Sequence, residues 1–522
     1  MNKIINNIKM SKSFFFILFL LFSYTTSGNL KRLLASNDEK SIAASAAKKI
    51  NEAETTINEN ISTSDADTSI LLVVSPGTGT VSDGVTLSKT GGDSSNTENS
   101  EFYGINAGVL VTTGCSLTIG SATITTAAKG SNAVFATGTN AEITLSGTTI
   151  TTTGTGSARG LDATYGGKIT ASNVKITTSG GSCATLATDR GEGTVSCTDC
   201  TLETNGAGSP VIYSTGAITL TDSTGTANGA QMVVIEGKNS ANVTGSTLSC
   251  SGTGNRNNID DCGVMIYQSM SGDADTGTGT FTCTNSKMSI DSNSDRYSSA
   301  PFFFITNTEA VVNLNGCTLN FGSGIFLSAK GTDEWGNSGS NGATITMTLT
   351  NQAVEGNIVL DNISTLTLKM TGTSSFKGTI NGDNTAKKIT IELDSTSKIT
   401  LTGDSNVYEI TNGDSTGNNI VNGSYSLNYG QQNTTGGSGG SDSGTGGNTG
   451  PNGGNTGPGG NTGPDGGNSG DKPTPPGGNG DMEPPDKNNN TNNNNISNST
   501  KSTNEGIRYM FSFLLLIMFL IL

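Results

Sequence analysis

Glu142-Ile-Thr-Leu-Ser-Gly-Thr-Thr-Ile-Thr-Thr152 is followed, 26 residues on, by Lys168-Ile-Thr-Ala-Ser-Asn-Val-Lys-Ile-Thr-Thr178, the same segment in slightly different letters. The interval extends in both directions. Leu117, Ile143, Ile169 and Val195 form one aliphatic row at that spacing, and Ile124, Ile150, Ile176 and Leu202 form a second. A fixed period of this size means that each segment stacks on a copy of itself, and the short alternating runs exclude a helical repeat. The chain therefore reads as a β-solenoid, in which residues one turn apart lie about 4.8 Å from each other and each aliphatic row becomes a column in a long core.

A representative turn adds Gly160-Leu-Asp-Ala-Thr164, giving three short strands separated by Gly, Ser and Asn and a triangular cross-section. Strands begin near Ile70–Val74, and the array is legible from Ile105. At about 25 residues per turn, residues 105–428 make about 13 turns and roughly 60 Å of coil. The spacing loosens after Leu202. Two stretches, Gly252–Gly279 and Asp291–Pro301, read as loops inserted into turns, the usual place for recognition on a rigid scaffold.

The 522 residues include 72 Gly and are 32% hydrophobic and 5% aromatic, sparse for a globular core but sufficient for a narrow coil. The net charge of −15 argues against nucleic acid as a partner, because phosphate binding needs clustered Lys and Arg. There is no histidine, which excludes Ser-His-Asp and Cys-His chemistry and removes the commonest metal ligand.

The two ends carry address signals. Lys3, Lys9 and Lys12 precede the apolar run Phe14–Phe22, and small residues follow up to Gly28, the layout of a secretory signal peptide over 1–28. At the other end Ser497, Asn498 and Ser499, a polar spacer and the apolar Met510–Leu522 match a GPI-attachment signal over 498–522, with Asn498 or Ser497 as the attachment residue. The expected setting is the outer face of the plasma membrane of a eukaryotic cell, with the lipid bilayer as one partner. Asn60, Asn242, Asn362, Asn422 and Asn433 are N-glycosylation candidates.

Between these signals, residues 29–69 are rich in Ala, Lys and Glu. They read either as a short helix capping the first coil or as a pro-segment cut after Lys31-Arg32. The coil is expected over 70–430. From 431 to 497 the composition changes to Gly, Asn, Thr and Pro, from which no core can form, so this segment reads as a disordered stalk with a mean span of about 50 Å.

Three groups of residues are candidates for function. Thr125, Thr151 and Thr177, with Thr126, Thr152 and Thr178, keep the 26-residue interval and form a hydroxyl ladder suited to glycan, though ladders of this kind also follow from β-propensity alone. Lys175 and Glu203 interrupt the surface and disfavour ice. Asp260, Asp261, Asp273 and Asp275 gather in the first insert and are the calcium candidates, the one cofactor the sequence suggests, although they lack the rest of a calcium loop. The eight cysteines of a secreted chain point to disulfides, with Cys250 and Cys262 the pair placed to close the insert. Cys197-Thr-Asp-Cys200 is a lone CxxC without a partner motif.

The Ile-Thr-Leu and Thr-Ile-Thr-Thr strands, with their Gly- and Asn-rich turns, resemble right-handed parallel β-helix proteins of the pectin-lyase-like type over about 70–430, and are most similar to the adhesin-like and autotransporter-passenger branch. Hydrolases of that fold carry a Gly-His-Gly element, which a chain without histidine cannot have; Asp260-Asp261 is the only echo of their paired aspartates. Its lyases need calcium-binding acids beside an Arg, and Asp189-Arg190 is the tempting neighbour pair. The resemblance implies a surface adhesin or coat component that binds extracellular glycans or surface proteins, with no catalytic residue. A surface polysaccharide lyase or glycoside hydrolase is the alternative.

Overall fold

In the first parallel pairs of the repeat, Ile143 sits in register with Leu117 on one side and Ile169 on the other, and Ile150 with Ile124 and Ile176. Ile169 continues to Val195 and Ile176 to Leu202, so both aliphatic rows are columns, with every member at most 2% exposed. Alternation explains why. In Glu142–Ser146 the side chains of Ile143 and Leu145 point inward and those of Glu142, Thr144 and Ser146 outward.

The computed structural model describes residues 44–430. The expected signal peptide, the candidate cut at Lys31-Arg32, the expected stalk, Asn433 and the candidate GPI-attachment residues Ser497 and Asn498 lie outside the described residues. The described chain winds through three parallel sheets in a repeating order, here named A, B and C, of 12, 14 and 10 strands. Sheet C ends at Thr318–Asn320, and its place is taken by a four-stranded sheet starting at Ala353–Glu355. Fourteen strands at about 4.8 Å give a coil of roughly 60 Å. One continuous core fills it, from Ile50 to Val407. Four of its aromatic members, Phe281, Phe302, Phe303 and Phe326, cluster edge-to-face in the later turns.

The coil begins earlier than its repeat suggests. Ser45–Ile50 is a strand paired in parallel with Thr68–Val73, not part of a capping helix, and the array starts there instead of at 70. Six residues make too short a helix to stand alone, whereas the strand gains a full ladder and buries Ile50. Within Gly252–Gly279, Val264–Tyr267 is a strand of sheet A, so the first insert is two separate corners, 251–263 and 268–277.

Between its end strands sheet A is buried on both faces, which gives its strands the unbroken apolar runs seen in Leu71–Val73 and Phe302–Ile305. Outside it, Leu72, Leu110 and Phe135 form a satellite cluster. This cluster lies beside the one helix among the described residues, Thr97–Tyr103, capped by the Asn96 side chain at its start and by Gly104 at its end. Gly104 has φ 68°, and a Cβ there would fall 2.5 Å from the Phe135 ring.

The cysteines pair differently from the expectation. Disulfides join Cys197 to Cys200 and Cys283 to Cys317, with Cα atoms 6.1 and 6.5 Å apart. Cys250 and Cys262 are free and buried. Cys250 belongs to the core inside the coil and Cys262 to a separate cluster with Phe304 and Trp335.

Candidate functional site

The hydroxyl ladder divides into two rows with opposite roles, because adjacent residues of a strand face opposite sides. Thr125, Thr151 and Thr177 point outward on sheet C and are partly exposed. Thr126, Thr152 and Thr178 point inward and are at most 2% exposed, so they are no part of a binding face. Their hydroxyls donate to the carbonyls of Ser131, Ala158 and Cys183, at 2.8, 2.7 and 2.6 Å, and close the corner that follows each strand. Lys175 and Glu203 stand in the outward rows of the same sheet.

Sheet B carries a longer outward row that sequence reading missed. Thr56, Thr80, Thr118, Thr144 and Thr170 lie in register and lead on through Ser196 and Thr219 to Asn242. The interval of 26 from Thr118 to Thr144 to Thr170 was a usable signal; it vanishes where the turns change length. Asn242 is exposed on this face, and Asn60, Asn362 and Asn422 are exposed elsewhere on the coil.

The four acidic candidates do not gather. The Asp260 carboxylate accepts from the backbone N–H groups of Asn255 and Arg256, and that of Asp261 from Gly254 while pairing with Arg296 at 2.9 Å. Asp273 pairs with Arg190 at 2.6 Å and Asp275 with Lys238 at 3.1 Å. Asp273 and Asp275 tie corner 268–277 to earlier turns, whereas Asp260 and Asp261 fix corner 251–263 on itself and to Arg296, and among the described residues no group of three or more acidic or cysteine side chains is placed to bind a metal. Nor is Asp189-Arg190 a unit. Arg190 lies over the Phe102 ring at 3.8 Å, whereas Asp189 turns to Arg159.

Arg159 is the centre of a buried ionic group beneath the helix. Its guanidinium contacts Asp162 and Asp189, each at 2.7 Å, and all three side chains are at most 8% exposed. Burial pushes Asp162 up to about 7 against the pull of Arg159, and raises Asp189 likewise. Two carboxyls of shifted acidity beside an Arg are the chemistry of acid–base catalysis, but the helix segment covers them. Asn132 Nδ2 donates to the Ser100 carbonyl at 3.1 Å and Thr164 Oγ1 to the Phe102 carbonyl at 2.9 Å.

The open site begins three turns beyond Asp189, where sheet A passes into sheet B. Corners of this kind have two to five residues elsewhere on the coil. Three successive ones depart from that range: 268–277 has ten residues, Asn307 stands alone between Phe303–Thr306 and Thr308–Asn315, and 330–342 has thirteen. Two long corners flanking a minimal one leave a cleft of about 740 Å³, with Asn307, Thr308 and Glu309 along its floor.

Both walls are braced. Tyr267 and Tyr213 donate to Glu236 Oε2, each at 2.9 Å, and Ser269 donates to the other oxygen of the same carboxylate. Asn307 Nδ2 donates to the Gln268 carbonyl at 2.8 Å. Opposite, Trp335 is buried against Tyr267 with ring centroids 5.2 Å apart, and Asn341 Nδ2 holds the Trp335 carbonyl at 2.7 Å. Gly336, at φ 73°, lets this wall meet the floor, since a Cβ there would lie 2.2 Å from Asn307 Oδ1.

Parallel sheets joined in the constant order A, B, C leave one question of kinship. Residues 83–248 match the family model of the right-handed beta helix region. No curated protein matches the chain. The matched part of the β-helix is the regular half with its helix, the covered ionic group and most of the hydroxyl rows. It stops before the corners that build the cleft.

Proposed function

We propose that this β-helix is an adhesin-like or coat component of a eukaryotic cell surface, secreted, tethered by a GPI anchor and binding glycans or neighbouring surfaces through its corner loops. The cleft carries this reading. The two longest A–B corners rise on either side of the shortest one and are braced to the coil by buried aromatics and ion pairs, as a recognition surface requires. Asp273 and Asp275 serve those braces instead of lining the cleft. Beads coated with the full-length protein should adhere to cells or immobilised glycans, and phosphatidylinositol-specific phospholipase C should release the protein from the cells that make it. Failure of both would refute the reading.

A polysaccharide lyase or hydrolase is the second reading, and Asp162 and Asp189 about Arg159 are the observation in its favour. Incubation with polygalacturonate and related glycans, with and without calcium, separates the two. New reducing ends or unsaturated products establish the enzyme; binding without turnover supports the adhesin.

A further inference from the structure

We infer that the cleft between corners 268–277 and 330–342 is a binding site for a neutral oligosaccharide; this rests on the glycan-binding reading above and names its site and ligand class.

The shape follows from the coil itself. The two walls spring from turns two strand spacings apart, about 10 Å from backbone to backbone, and the missing middle corner opens a slot between them. At about 740 Å³ the cleft is within the usual range of small-ligand sites, roughly 300–1,000 Å³. Because the walls are anchored through Trp335, Tyr267 and the Arg190–Asp273 and Lys238–Asp275 pairs, little ordering is left to be done on binding.

The chemistry of the lining selects the ligand. About half of the lining residues carry amides or hydroxyls, among them Asn337, Ser340, Thr308 and Thr344, groups that both donate and accept as sugar hydroxyls do. Gln268, 92% buried at the cleft edge, uses its amide nitrogen on the Ser269 and Ala274 carbonyls and so fixes the start of this wall. Met270 is 69% exposed and offers an apolar contact for the C–H face of a ring. Glu309 is the one charged residue of the lining, and its carboxylate accepts from Thr278 Oγ1 at 3.1 Å. Without a Lys or Arg in the lining of a chain of net charge −15, a uronate or sialylated glycan would meet only repulsion. A single carboxylate is equally poor provision for a polycation.

Trp335 is the only tryptophan of the chain and is packed into one wall, so its emission reports on the cleft. Full-length protein is titrated with hexasaccharides of glucose, galactose, mannose and N-acetylglucosamine, and with hexagalacturonate. The expected result is a saturable change in Trp335 emission with at least one neutral probe and none with hexagalacturonate. Thr344→Tyr, at an exposed strand position where Tyr is well tolerated, should fill the slot and weaken binding at least tenfold while leaving the thermal midpoint in place. Asn337→Ala, on the exposed wall, should weaken it severalfold. Silence with every neutral probe, preference for hexagalacturonate, or undiminished binding by Thr344→Tyr would each overturn the inference. If cell or glycan adhesion persists undiminished in Thr344→Tyr, the adhesin reading stands and the site assignment falls; if the wild-type protein adheres to nothing, both fall.

Discussion

Thr152 Oγ1 donates a hydrogen bond to the Ala158 carbonyl at 2.7 Å from inside the coil, while its neighbour Thr151 faces out. Replacing Thr152 with Val keeps the shape and leaves that buried carbonyl without its donor, a loss of about 1–2 kcal/mol. Thr151→Val on the exposed row should stay within about 0.5 kcal/mol of wild type. Urea unfolding of the two variants side by side checks the assignment of rows; equal effects would mean that the faces are wrongly placed.

Cys283 and Cys317 close a loop of 34 residues spanning one turn, whereas Cys197 and Cys200 are separated by only three. Loop closure of the larger size is worth about 2–4 kcal/mol, so the Cys283→Ala/Cys317→Ala variant should lose most of that, and the Cys197→Ala/Cys200→Ala variant much less. Alkylation of the unfolded, unreduced protein should label Cys115, Cys183, Cys250 and Cys262. A Cys250–Cys262 peptide pair would contradict the structure.

Asp162 gives the fold a pH dependence of known sign. Its pKa in the fold is raised from 3.8 to about 7, so the folded chain holds this proton more tightly than the unfolded one. Its contribution to stability is therefore complete below about pH 4 and is lost as the pH rises through about 7. The urea midpoint should fall across that window, and Asp162→Asn should flatten the fall. A variant with an unchanged pH profile would remove Asp162 from the account.

Gly104 ends the helix in a conformation that L-residues rarely adopt, against the Phe135 ring. Gly104→Ala should destabilise by about 1–3 kcal/mol and loosen the helix segment first, visible as faster amide exchange at Ser100–Tyr103 than in the coil beneath. Uniform exchange throughout would show that the segment is not a separate cover.

Calcium should leave the thermal midpoint unchanged, because Asp260 and Asp261 bind backbone N–H groups and Arg296 while Asp273 and Asp275 bind Arg190 and Lys238. A calcium-dependent rise would mean that these partners are displaced.

Legibility along the chain followed the length of the turns. Leu117, Ile143 and Ile169 announce their column because three consecutive turns share one length, and the same regularity exposes the Thr125 row. The strand Ser45–Ile50 was hidden, since Ala and Lys favour helix locally and only the ladder to Thr68–Val73 overrides that preference. Val264–Tyr267 was hidden in the same way, between corners longer than the strand itself. The sheet B row beyond Thr170 faded because 26 gives way to 23 at Thr219 and again at Asn242.

By itself the sequence determined the coil, its three strands per turn, the inward aliphatic columns and the absence of histidine chemistry, all of which depend on residue type and period. Tertiary structure alone decided which cysteines meet, which carboxylates find a cation, and where a cleft opens. Those outcomes depend on how many residues each corner adds before the chain returns to register: Cys317 reaches Cys283, and Asn307 comes to lie between two tall corners, only once the strands have stacked.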